Sequence, residues 1–504
     1  MAYSKTPMQD TDQTKQIPLF HDWESRENSL AFPAGTRGTE AQNLVVEVIK
    51  NEVNGDAYVR AIKRDGSELV FTMNTDPGEV VCGIYYWKRA NRLVGVSATR
   101  INFWNLDTGV LTTSSVINMP NGPITGIGFT EFLYDNGTTD LVVSDGQFLN
   151  LVNQAAVVTV VVDPDFPPTH NPYPVFLDGY LFVSTNNGHI YNSDLNTPTS
   201  WQASNLLDAE AYPDELVALA RVGVYIVAFG TQSTEYFYNA ANPTGTPLAR
   251  VDGATKSVGY LMGLASHENA LYIVGKNPSG IPTFYELNAL KLREFGTETS
   301  RRWLNNITTL TQTRGSILTL NGHRCYCITT NRNNLPVETF YYDLDTNFFS
   351  SLQIGADGTG GPFIHTATEG IRTVSGYAQV QTYFGIYNSN EIQRFNGELY
   401  QDKGVNFTVR ITTRPQNFGT QRVKFGGRMI LGCDQTPTPS LMNLSWSDDD
   451  YLTFSTPRTI DASNAYTPLY ALGSFRKRVF RLTYTDNFPM RWTTIELDYQ
   501  QGQA

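Results

Sequence analysis

The chain has 504 residues, a formal charge of −11 and only 17% charged side chains, with 27 Tyr, 27 Phe and 41 Gly. That length exceeds one ordinary core, and the aromatic, turn-rich composition excludes a disordered or mainly helical protein, so a large β-domain with smaller companions is expected. The longest apolar run, AAVVTVVV from Ala155, is of strand length and well short of the roughly 20 residues a membrane helix needs, so stable membrane insertion is not expected.

The first sixteen residues are polar and carry no apolar signal-peptide core, which predicts synthesis in a cytoplasm without secretion. Residues 1–40 read as an extended, Pro- and Gly-punctuated arm lying across another element or subunit. Within residues 41–80, NLVVEVIK, AYVRAIKR and ELVFT alternate around the turns NGD and RDGS, which predicts a three-stranded meander. Residues 81–400 repeat a strand-turn-strand unit seven times, starting near Arg92, Asp140, Gly179, Gly223, Asn269, His323 and Gly376. The spacing of about 40 to 54 residues is the period of propeller blades, because one hairpin cannot bury its apolar face unless neighbouring sheets stack on it. Helical turns are expected in this span only at Ser204–Glu215 and near Thr299–Ile307. From residue 401 to 504 five further strands with polar loops predict a β-sandwich or sheet that joins the N-terminal meander in a platform. The fold class is thus all-β: a six- or seven-bladed β-propeller plus a β-rich platform domain built from N- and C-terminal segments.

Charge is uneven along the chain. Residues 1–400 carry 25 Lys and Arg against 39 Asp and Glu, whereas residues 401–504 carry 12 against 9. An acidic body disfavours tight sequence-independent DNA binding, which depends on cations that displace phosphate counterions.

Candidate chemistry is sparse. Cys82, Cys325, Cys327 and Cys433 are too few and scattered for a disulfide framework and read as buried thiols. Ser447-Asp448-Asp449-Asp450-Tyr451-Leu452-Thr453-Phe454 fits the Asp-box pattern S-x-D-x-G-x-T-W, with Tyr451 in the glycine position and Phe454 for Trp; a looser copy spans Ser193 to Trp201. The Asp448–Asp450 trio could suit Ca²⁺, but the EF-hand spacing and distal Glu are missing. Asp208, Glu210, Asp214 and Glu215 are the densest ring carboxylates and could supply a glycosidase pair, although their place around Pro213 fits loop and cap residues. Arg301 and Arg302 are adjacent, so on a strand they would point apart rather than converge on a sugar carboxylate. His21, His170, His189, His267, His323 and His365 show no zinc spacing, and Gly355–Gly361 lacks the Lys-Ser/Thr of a phosphate loop. Arg476, Lys477, Arg478 and Arg481 either meet an acidic partner or phosphate, or guard a strand edge. No catalytic, metal or cofactor residue is assigned, and the chain is not expected to be an enzyme.

From about Pro164 to Leu304 four ordered elements carry a resemblance. They are Ser193, Asp194, Pro198, Ser200 and Trp201; then Ala209, Glu210, Pro213 and Asp214; then Phe229, Gly230, Thr231, Thr234 and Glu235; then Arg250, Gly253 and Gly259. In these the sequence resembles the tail nozzle, or packaged-DNA stabilisation, proteins of short-tailed phages, the podovirus tail hub family. The stretches SWSDDDYLTF and RKRVFRLTYTDNFPMRW resemble its C-terminal part, and the segment from Glu40 loosely resembles its opening Asn…Glu…Arg-Pro-Gly pattern, with Asp65-Gly66 replacing Pro-Gly.

The resemblance implies a structural virion protein, made in the host cytoplasm, that assembles as a homohexameric ring below the portal and adaptor, retains packaged DNA and forms the ejection channel. It also implies contacts with the tail adaptor, tail fibres or tailspikes and a distal needle or plug, with double-stranded DNA passing through the lumen without specific binding. It transfers no catalytic residue. The rival reading from the residues is a carbohydrate-binding or sialidase-like propeller, which several intact Asp-boxes and convergent arginines would favour.

Overall fold

The computed structural model describes residues 12–19, 40–50, 57–122, 126–209, 212, 214–296, 298–305, 309–332, 335–353, 364–386 and 388–502. The chain forms two compact units. One comprises Met1–Gly66, Asp343–Gly360 and Gly397–Ala504, and the other Ser67–Tyr342 and Gly361–Asn396.

The second unit is the propeller, and its described residues form seven blades. Each of the seven hairpins read from sequence is the middle strand pair of one blade. In the first blade Gly83–Trp87, Arg92–Val96, Ile101–Asn105 and Leu111–Thr113 run antiparallel from the axis outward. The strand Arg92–Val96 shows why such hairpins must stack. Leu93 faces a cluster with Phe71, Ile84 and Tyr383, while Val94 and Val96 face another with Phe103, Leu141 and Val143, so one short strand supplies two inter-blade cores. The chain reverses between the first and second strands of the third, sixth and seventh blades through Asp178-Gly179, Asn321-Gly322 and Ser375-Gly376. All six residues have positive φ, the requirement of a two-residue hairpin turn that matches the strand twist.

The seventh blade closes the ring. It is built from Ile364–Val374, Tyr377–Ile386 and Glu391–Asn396, and its outer strand is Gly66–Thr72 from the other end of the propeller sequence. This corrects the three-stranded meander: ELVFT leaves it to pair with Glu391–Asn396. The physical reason lies in its side chains, since Ser67 donates to Gln393 Oε1 at 2.9 Å, Arg394 donates to Glu68 Oε1 at 2.7 Å, and Phe71 stacks on Trp104 at 5.1 Å. Ile364–Val374 in turn packs against Gly83–Trp87, so the first and last blades meet.

Two helical expectations part ways. Glu298–Asn305 is an α-helix, near the expected place. Residues 204–208 belong instead to the strand Thr197–Asp208, whose neighbour His189–Asp194 holds Leu206 and Leu207 by the sheet ladder.

The first unit is a two-sheet sandwich. One sheet holds Leu44–Lys50, Ala57–Lys63, Arg491–Gln501, Lys424–Cys433 and Ser474–Phe475, with Asp12–Pro18 also paired along Arg491–Gln501. The other contains Phe349–Leu352, Glu40–Gln42, Val409–Thr412, Val479–Tyr484, Leu441–Ser447 and Arg458–Asp461. Their facing side chains, among them Val46, Ile411, Met442, Leu482, Trp492 and Leu497, form one apolar core. The N-terminal and C-terminal segments are therefore strands of the same sheets.

Candidate functional site

Three clusters gather the residues singled out in the sequence. The first lies in the fourth and fifth blades. The Asp214 carboxylate accepts backbone N–H bonds from Gln232 at 2.6 Å and Ser233 at 2.9 Å, and the Ser233 hydroxyl at 3.1 Å. It thereby caps the turn after Phe229-Gly230-Thr231. A Cβ on Gly230 would stand 2.3 Å from Asp214 Oδ2, and one on Gly259 would stand 2.0 Å from the Thr231 carbonyl oxygen, so both positions need glycine for close approach. Thr234 donates to the Val258 carbonyl at 2.7 Å, and buried Glu235 pairs with Arg250 at 2.7 Å. The elements Asp214, Phe229–Glu235, Arg250 and Gly259 thus form one interlocked corner joining two blades.

The third blade carries the looser Asp-box. Asp194 accepts from Ser200 at 2.8 Å and Gln202 at 2.7 Å, and the buried Trp201 donates its indole N–H to the Pro198 carbonyl at 3.1 Å while meeting Phe166 edge-on. Ser193 is buried and accepts from Leu181 N–H at 3.0 Å.

The second cluster is the Ser447–Thr453 turn of the sandwich. Asp449 accepts Thr453 N–H at 2.9 Å, Thr453 O–H at 2.6 Å and Ser447 O–H at 2.7 Å, and these bonds hold its carboxyl down at a pKa of about 2. Asp450 and Tyr451 both take positive φ, so Tyr451 occupies the glycine-type position; its ring is buried and its hydroxyl donates to the Thr413 carbonyl at 3.2 Å. Asp448 forks onto Arg478, and Asp450 pairs with Lys477. The three carboxylates thus face hydroxyl and amide donors or cations of this chain, the opposite of the oxygen cage a Ca²⁺ ion takes.

The third cluster surrounds Arg64. This fully buried guanidinium donates to both carboxylate oxygens of Asp402 at 2.8 and 2.5 Å and to Asn43 Oδ1 at 3.1 Å, and lies 3.7 Å over the Phe407 ring. Asn43 in turn donates to the Thr408 and Gln353 carbonyls at 2.8 and 2.9 Å. A Cβ on Gly66 would fall 2.3 Å from the Gln401 carbonyl oxygen, which explains a glycine two residues after the arginine. Beside it Lys63 is buried against Phe407 and Tyr484 with its ammonium donating to the Asp486 carbonyl at 2.6 Å; burial first, and the Arg64 charge second, pull its pKa down to about 7.

Residues 108–358 match the model of the phage stabilisation family, described as Bacteriophage P22 Gp10, beta-propeller. The chain belongs to that family. It is a phage tail-associated β-propeller protein of a kind consistent with a structural virion role. No curated protein matches the chain. Among solved structures it is similar to a streptogramin B lyase (13% identity, TM-score 0.40, covering 66% of this chain and 98% of that one) and to virginiamycin B lyase from Staphylococcus aureus (11%, 0.39, 65% and 98%). A computationally designed protein, Ika8, is similar to the same degree (11%, 0.39, 65% and 100%). At these scores the likenesses carry no argument about activity.

The remaining sequence candidates do not converge. Asp208 pairs with His189 and lies on the third blade, apart from the turn capped by Asp214; Glu210 and Pro213 lie outside the described residues. Arg301 and Arg302 sit on the helix Glu298–Asn305 rather than on a strand, and Arg301 pairs with Glu294 and donates to Thr283 Oγ1 at 3.3 Å. His170 bonds Ser144 Oγ through Nε2 at 2.8 Å, with burial pulling its pKa down to about 4, and His267 lies 3.3 Å from Glu369. His323 opens the strand His323–Arg332, burial pulls His365 down to about 3, and His21 and Gly355–Gly361 lie outside the described residues. Cys82, Cys325 and Cys327 are buried thiols and Cys433 is half-buried, and none of the four is in a disulfide among the described residues. No described helix is long and apolar enough to cross a membrane.

Sequence reasoning missed Arg314. It lies on the innermost strand of the sixth blade, Thr309–Leu320, and is half-buried. A Cβ on Gly126 (φ +83°) would stand 2.7 Å from its Nε, and burial pulls its pKa below the ordinary arginine value against the opposing influence of Tyr173, Cys82 and Tyr260 from other parts of the ring. The signal available was an arginine preceding Gly315, whose own Cβ would meet the Gly263 carbonyl oxygen at 2.0 Å.

Proposed function

We propose that this protein is the tail nozzle of a short-tailed phage: a homohexameric ring below the portal and adaptor that retains packaged DNA and forms the channel for its ejection. The observation that carries the reading is the family match across residues 108–358. The residues of the family motifs support it further, because Asp214, Gly230, Glu235, Arg250 and Gly259 hold neighbouring blades together. The protein is not an enzyme on this reading, and it is made in the host cytoplasm and incorporated in the virion.

A conduit must not grip what passes through it. Six to ten phosphate contacts would give an affinity that changes by roughly 10³- to 10⁵-fold over moderate salt ranges and would brake the DNA, whereas an excess of 39 acidic over 25 basic residues in positions 1–400 repels phosphate. A ring of identical subunits needs head-to-tail contacts that close, not isologous dimer contacts. The tail adaptor, fibres or tailspikes and a distal needle or plug are the partners this role requires. Imaging of the purified protein with portal and adaptor tests it: a six-fold tube with a central channel is expected, and protein that stays monomeric beside that complex overturns it.

A further inference from the structure

The outer strands of the blades differ in how they are guarded. Lys291–Phe295 carries Lys291, Arg293 and Glu294; Leu248–Arg250 follows Pro247 and ends in Arg250; Thr197–Asp208 contains Pro198; Gly66–Thr72 contains Glu68. Charges and prolines on an edge strand block unwanted pairing with another chain. The second blade has neither. Its outer strand Val158–Val160 lies in a charge-free run from Gly146 to Val162, with Val160 41% and Val162 85% exposed. Beside it, the first blade's outer strand Leu111–Thr113 is equally uncharged, in a run free of charge from Thr108 to Thr130.

A second open edge lies in the seventh blade. Ile364–Val374 and Tyr377–Ile386 pair along their whole length, but Glu391–Asn396 pairs only with Tyr383–Gly385. The far half of the hairpin therefore extends past its blade, and Tyr377–Gln381 has no strand on its other side among the described residues. This run is also charge-free, from Thr373 to Asn390, with Tyr377 76% and Val380 64% exposed.

We propose that the Val157–Val162 edge of one copy takes the Tyr377–Gln381 edge of the next as an added β-strand, which gives the subunit-subunit contact of the ring. The inference rests on the ring reading above. The Val157–Val162 edge is β-branched throughout and the Tyr377–Gln381 edge presents Tyr377 and Val380; both are uncharged and open on one side, so they are complementary in backbone hydrogen bonding and offer apolar side chains to one another. Their being different makes the contact head-to-tail, the type that closes a ring.

Disulfide trapping tests it in the full chain. Val160→Cys and Val380→Cys are made separately in a Cys433→Ser background, mixed, and oxidised with a copper reagent. The control pair is Val160→Cys with Val224→Cys, a site 64% exposed on the fourth blade. The mixed disulfide between positions 160 and 380 should form at least about tenfold faster than the control, because a docked pair raises the local thiol concentration. Equal rates, or preferential pairing of position 160 with itself across two copies, overturn the proposal. If equal rates occur while imaging with the adaptor still shows a six-fold tube, the contact is wrong and the nozzle reading stands; with no tube, both fail.

Discussion

Arg478 and Asp448 form a two-point ion pair, Nε to Oδ1 and Nη2 to Oδ2 both at 2.7 Å, although thirty residues separate them in sequence. The guanidinium is buried between Phe475 and Trp446, at 4.2 and 5.1 Å, and also donates to the Leu472 carbonyl at 2.7 Å. A basic run and an acidic turn that each suggest an external ligand thus answer one another. Lys477 with Asp450 repeats the arrangement, and Arg481 lies 3.6 Å over the Phe454 ring.

Breaking one half of the Arg478 pair should hurt more than replacing both. Asp448→Asn leaves a buried cation without its half-exposed counter-charge and should lower stability by about 1–2 kcal/mol, while Asp448→Leu with Arg478→Met should lose less. Urea unfolding of the two variants against wild type checks this. Equal losses would mean that the pair is not desolvated.

Lys63 makes stability depend on pH in a defined direction. Its folded pKa of about 7 lies below the ordinary lysine value, so between about pH 7 and 10 the unfolded chain binds more protons and stability rises with pH. The penalty is complete below about pH 7 and absent above about pH 10.5. Lys63→Met should flatten the wild-type rise between about pH 7 and 9.5, a difference on the order of a few kcal/mol. Denaturant midpoints for both proteins across that range give the comparison, and parallel profiles would count against a buried ammonium.

The corner joining the fourth and fifth blades should be unforgiving of a single methyl. Gly259→Ala drives a Cβ into the Thr231 backbone and should cost about 3 kcal/mol or prevent folding. Gly230→Ala meets the Asp214 side chain instead, so the double variant with Asp214→Ala should recover part of the loss. Thermal unfolding of the three proteins reads the pattern.

Asp214 also separates the structural role from the carbohydrate one. Its carboxylate already accepts three bonds within the turn. Asp214→Asn should lower thermal stability, and neither it nor wild type should turn over a synthetic sialoside or other aryl glycoside. Turnover by wild type that Asp214→Asn abolishes would restore the hydrolase reading.

Free duplex DNA should not be bound tightly by the protein. Filter binding at about 0.05 and 0.15 M salt should show no saturable complex, because counterion release requires a basic surface and residues 1–400 carry an acidic excess. A steep salt-dependent affinity would contradict the acidic conduit.

The seven hairpins were legible from Arg92 onward because β-branched and aromatic runs between Gly, Asn and Asp turns encode local strand pairing, a short-range property. Residue order alone also placed the helix near Thr299. What it could not decide was partner choice at long range. The strand Gly66–Thr72 has the same alternation whether it ends a meander or closes the ring, and only the fit of Ser67 to Gln393 and Phe71 to Trp104 selects the seventh blade. In the same way, Asp448 and Arg478, Asn43 and Arg64, and Asp214 and Gly230 are separate motifs along the chain. They become single structures because a buried charge or turn needs a partner, and the tertiary fold alone brings that partner to it.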